Sequence, residues 1–73
     1  MTTEDARLIL AIAEHNMNLQ ETARHVYLHR NAIYYHLTKI KAQTGLDARR
    51  FYDLVELVRM AQEALAHESG YRK

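Results

Sequence analysis

Seventy-three residues with no cysteine, no proline, two glycines and a net charge of +1 make one small domain. A chain of this size buries only about 60% of its unfolded surface, and without thiols neither a disulfide nor a thiolate metal site can reinforce it. No apolar run approaches the roughly 18 residues of a membrane span: the longest, Leu8 to Ala13, has six, and the acidic start lacks the positive region of a signal peptide.

Scarce turn punctuation predicts an all-α chain with short connections. Thr2-Thr3-Glu4-Asp5 reads as a threonine cap with acid in the first turn, and Leu8, Ile9, Ile12 and Ala13 follow at helical spacing. The first helix is therefore expected over about residues 4–15. Asn16 and Asn18 end it, since asparagine tolerates the left-handed conformation. Asn18 also stands three residues before Glu21, the spacing of a capping box for a short second helix, 19–26. Leu19, Ala23 and Val26 are its inward residues. Tyr27-Leu28-His29 is the turn, braced by His29, with Leu28 tucked into the core. A third helix over 30–44 buries Ile33, Leu37 and Ile40 and stops at Gly45, a left-handed cap. Asp47 is the expected cap of a fourth helix, 48–66, whose apolar residues form a stripe wider than one buried face requires. Residues 67–73 are expected to fray as a tail.

The second and third helices, with small Ala23 at their crossing, have the form of a helix-turn-helix. Its second helix usually enters the major groove of DNA. Charge is concentrated there. Residues 24–50 carry Arg24, Arg30, Lys39, Lys41, Arg49 and Arg50 against Asp47, a net +5, whereas residues 1–23 carry −3 and residues 51–73 carry −1. A local basic block suits phosphate binding; an ordinary solvated charged face is the plain alternative. On the third helix Ile33, Leu37 and Ile40 share one side. The opposite side offers Asn31, Tyr34, Tyr35 and Thr38, with Lys39 and Lys41 on the flanks and Arg30 at the start, and has no acid. These groups are the kind that read base edges and phosphates: Asn31 can pair with adenine, and Tyr34, Tyr35 and Thr38 can reach phosphate or a thymine methyl.

Asn18, Glu21-Thr22-Ala23, His29-Arg30-Asn31, Tyr35, Leu37, Ile40 and Thr44-Gly45-Leu46 resemble the C-terminal helix-turn-helix domain of the PucR/CdaR group of bacterial transcription regulators, and more distantly the Fis type. The resemblance covers about residues 6–66. It implies a four-helix domain without a wing, and DNA contact by Arg30, Asn31 and Tyr35. It also implies a larger dimeric regulator with a sensor region, so this sequence is either an excised domain or a short stand-alone protein. Members of that group usually carry threonine at the place of Ala32, and commonly arginine at the places of Tyr34 and His36. Those departures should weaken phosphate contact, or make it depend on protonated His36.

Other chemistry is not expected. His25 and His29 have a zinc-compatible spacing, but the interhelical turn separates them. The only serine is Ser69, and no nucleophile, carboxylate pair or phosphate loop is present. We therefore expect no metal, no cofactor and no enzyme activity. The expected partners are duplex DNA and a second copy, in the cytoplasm, with no membrane. Ile9, Leu57, Met60 and Leu65 form either the dimer surface or the closing layer of the monomer core. The alternative to DNA binding is the same fold used as a protein-interaction module, with tyrosines suited to a protein interface.

Overall fold

The computed structural model describes the backbone of residues 1–71 and the side chains of residues 1–67. Four helices follow one another: α1 (Thr3–Glu14), α2 (Leu19–Val26), α3 (Arg30–Thr44) and α4 (Phe51–Tyr71). The chain is thus all-α among the described residues, as expected. α1 is the hub. It packs most extensively along α4 and also lies against α2 and α3, while α2 and α3 pack on each other.

Local chemistry sets most helix ends. Thr2 accepts the Asp5 N–H at 3.1 Å, and Asn18 Oδ1 accepts the Glu21 N–H at 3.0 Å, each satisfying a donor that the first turn leaves orphaned. The Glu21 carboxylate does not complete the reciprocal box; it pairs with Arg24. α1 ends in a Schellman arrangement. The Met17 N–H reaches Ile12 O at 2.8 Å and the Asn16 N–H reaches Ala13 O at 3.2 Å. Asn16 and Met17 both have positive φ there, 57° and 67°. At Gly45 (φ 79°) a side chain would meet nothing within 4 Å, so the left-handed backbone, not lack of space, calls for glycine.

The fourth helix begins later than Asp47 suggests. Asp47 Oδ1 accepts the Arg49 N–H at 2.9 Å and Asp47 O accepts the Arg50 N–H at 3.0 Å, so Asp47 organises a separate turn. Asp53 Oδ2 holds the Asp47 N–H at 3.1 Å, and α4 starts at Phe51. At its other end α4 runs through Tyr71, past the expected stop at residue 66; of the expected tail, Arg72 and Lys73 lie outside the described residues.

The core gathers Ile9 and Ile12 from α1, Ile33, Leu37 and Ile40 from α3, and Leu54, Leu57 and Ala61 from α4. Ile9 and Leu57 are both 0% exposed. Of the two roles open to them, Ile9 and Leu57 thus take the closing layer of the core, in the α1–α4 contact within one chain. Met60 and Leu65 are half-buried against the same core. Leu19, Ala23, Val26 and Leu28 pack on it as expected. Thr22 is the fully buried residue of α2, its hydroxyl donating to Asn18 O at 2.8 Å.

Tyr27 closes α2 with φ 58° and is 93% exposed. A non-glycine residue in that conformation costs about 1–2 kcal/mol, and an exposed ring returns little packing. Tyr27→Gly should therefore stabilise the domain by about 0.5–1 kcal/mol, after subtracting glycine's greater unfolded-state freedom. A thermal melt followed by circular dichroism should show a rise of about 2–8 °C in Tm. A lower Tm would contradict stored strain at this turn.

Candidate nucleic-acid interface

α3 owes its placement to its buried seam and to its cap. Ile33, Leu37 and Ile40 fix which side faces inward. His29 starts the helix by accepting the Asn31 N–H on Nδ1 at 3.0 Å. The cap is thus supplied by the His29 ring and not by the Asn31 side chain. Arg30, Asn31, Tyr34, Tyr35, Thr38 and Lys41 are all exposed, Tyr35 to 67% and Tyr34 to 39%. The Thr38 hydroxyl donates back to Tyr34 O at 2.9 Å, so what it offers outward is an acceptor. Arg30 shares a groove with Gln20 and Arg24 of α2 and with Tyr27, which closes that helix.

The two flanks of this face behave differently. On one, Lys39 is turned toward α1. Its Nζ lies 3.1 Å from Asp5 Oδ2, a carboxylate only 1% exposed. His36 sits on the same flank, with Nδ1 3.1 Å from Asp5 Oδ1 and Nε2 3.8 Å from Glu4 Oε1. Lys39, expected on the phosphate-binding flank, is thus turned to the buried carboxylate of Asp5, with its side chain still 31% exposed. His36 likewise faces two carboxylates of α1 and not the outer face. Asp5 Oδ2 makes no hydrogen bond; the Lys39 ammonium is what compensates it.

On the other flank, the Arg49 guanidinium lies 5.8 Å from the centroid of the Tyr34 ring. Asp47 stands beside it, Oδ1 3.6 Å from Arg49 Nε. The Asp47 carboxyl is held below its ordinary pKa, first by the hydrogen bond from the Arg49 N–H, opposed by burial, and then by the charges of Arg49 and Lys41.

Glu4, Asp5 and His36 bring ligand-type atoms within 4.8 Å of one another, a trio that sequence reasoning missed because Asp5 and His36 are 31 residues apart. Two carboxylates and an imidazole suit a divalent cation, but here Lys39 already supplies the positive charge at Asp5. His25 and His29 do not converge: His29 caps α3, and the His25 ring lies tilted against His15, with centroids 4.8 Å apart.

The residues matched by the family of PucR C-terminal helix-turn-helix domains are 6–61, most of α1 to the middle of α4. The chain belongs to that family. Its α2 and α3 are accordingly the helix-turn-helix, and membership points to DNA binding by a transcription regulator, a domain type that is not typically enzymatic. Comparison with curated proteins and with solved structures gave no match. No helix among the described residues is long and apolar enough to cross a membrane.

Proposed function

We propose that this domain binds duplex DNA sequence-specifically, with α3 in the major groove and α2 bracing it across the backbone. The observation that carries the reading is the outer face of α3: exposed, free of acid, and mixing amide, phenol, hydroxyl and cation. Arg30 is the phosphate ligand at the helix start, Asn31 the adenine reader, Tyr35 the contact one turn further on and Thr38 the contact about two turns on. Lys41 supplies charge at the far end.

One copy presents little base contact, and specific interfaces commonly bury about 1,000–2,500 Å² of protein surface. We therefore infer a two-fold dimer on an inverted repeat, or recruitment through a fused or separate sensor domain, in a bacterial cytoplasm. With Ile9 and Leu57 sealed inside, a second copy has to use other surface, and α4 exposes Phe51, Tyr52 and Val55. Those residues also favour a protein partner as a second reading, on a face separate from α3.

The test is a fluorescence-anisotropy titration with labelled duplexes recovered from a randomised pool, at two salt concentrations. Binding should weaken as salt rises. Arg30→Ala should flatten the logarithmic salt slope by about one, and Asn31→Ala should cost about 1–3 kcal/mol on the selected site. Binding without salt sensitivity, or no binding, would sink the DNA reading. Parent-like binding by both variants would sink the placement of the contact face.

A further inference from the structure

The groove beside α3 of about 490 Å³ is lined by Tyr34, Leu37, Thr38, Lys41, Asp47 and Arg49. Three of these, Tyr34, Thr38 and Lys41, also belong to the outer face of α3. The groove is thus continuous with that face and extends it toward the α3–α4 turn. Its cations come from two elements, Lys41 on the last turn of α3 and Arg49 on the turn that Asp47 organises. We propose that this groove holds a backbone phosphate of the same duplex, with Arg49 as its principal ligand and Tyr34 as the positioning residue that aims Arg49.

The charge in the groove favours an anion despite Asp47. Asp47 is turned in, with its side chain 17% exposed, and its carboxylate accepts the Arg49 N–H; the Arg49 side chain is 59% exposed. An approaching anion therefore meets the guanidinium first. Asp47 engages Arg49 nearest Nε, at 3.6 Å, and the Arg49 terminal nitrogens make no hydrogen bond among the described residues. Those nitrogens form the fork that suits phosphate. The Tyr34 ring restricts where the guanidinium can sit, so less freedom is lost when the phosphate arrives. A tyrosine at position 34 thus places no cation of its own on α3, but brings one in from the next element.

This inference rests on the DNA reading, and the experiment separates the two. Salt slopes are measured on the same selected duplex for the parent, Arg30→Ala, Arg49→Gln, Tyr34→Phe and Tyr34→Leu. Arg49→Gln should flatten the slope by about one, the loss of one phosphate contact. Tyr34→Phe keeps the ring beside Arg49 and should bind more tightly than Tyr34→Leu. Tyr34→Leu should bind several-fold more weakly. Failure of the parent to bind in a salt-sensitive way removes the DNA reading itself. If the parent binds and Arg30→Ala flattens the slope, a parent-like slope for Arg49→Gln overturns only the Arg49 site. Equal binding by Tyr34→Phe and Tyr34→Leu overturns the platform.

Discussion

Ile9→Ala should unfold much of the protein at room temperature and above, not convert a dimer into folded monomers. Ile9 is 0% exposed and lies in the α1–α4 layer with Leu57, also 0% exposed. Truncating a buried isoleucine removes transfer free energy and leaves a cavity, together about 2–5 kcal/mol. A core in a domain of this size supplies only about 3–5 kcal/mol in total, so the loss is comparable with the whole. Circular dichroism melts at two protein concentrations test this. Tm should fall by about 10–30 °C, with the same drop at both concentrations. A folded variant with parent Tm and a smaller sedimentation coefficient would return Ile9 to an intermolecular surface.

The case of Ile9 shows where sequence reasoning stops. Apolar spacing gave α1, α2 and α3 to within a residue, and the short-range caps at Thr2, Asn18 and Gly45 were legible because each acts across a few positions of chain. Spacing cannot say whether an apolar residue faces its own core or a second copy. Ile9 and Leu57 carry the same pattern either way, and only the α1–α4 pairing decides. The start of α4 was misplaced for a related reason. Asp47 before Ala48 has the look of a helix cap, but Asp53 reaches back to the Asp47 N–H and turns residues 47–50 into a separate turn. Met17 and Tyr27 were also hidden, because nothing in their side chains announces a positive φ.

The candidate site was legible to a similar depth. The outward set on α3 follows from the helical period once Ile33, Leu37 and Ile40 are placed inside. What the flanks touch does not follow. Lys39 and Lys41 look equivalent in the sequence, two residues apart at the end of one helix. In the fold one meets the buried Asp5 and the other borders the groove of Arg49. In the sequence Arg49 stands out only as a member of the basic block, since its partner Tyr34 is on another element. Tyr34 and His36 likewise acquire meaning from their surroundings. Tyr34 lies under a guanidinium, and His36 lies against two acids.

Asp5→Asn is the second large change, and it should act in opposite directions on stability and on DNA binding. Asp5 is 1% exposed and joins α1 to α3 through His36 and Lys39 at 3.1 Å each. Asparagine keeps the shape and an oxygen for His36 but removes the charge that faces Lys39. Breaking a fully buried pair costs about 3–5 kcal/mol. Here the Lys39 side chain is 31% exposed and can turn to water, so about 1–2 kcal/mol is the better expectation. Tm should then fall by about 4–16 °C. The freed ammonium lies on a flank of the face proposed to meet DNA, one helical turn from Tyr35. If α3 keeps its seat on Ile33, Leu37 and Ile40, Lys39 gains access to phosphate and the salt slope should steepen by up to about one. A double variant, Asp5→Asn with Lys39→Gln, should return the slope to the parent value while staying destabilised. A single variant that loses stability with no change in slope would mean that Asp5 only fastens α3 to α1, and that Lys39 has no phosphate within reach.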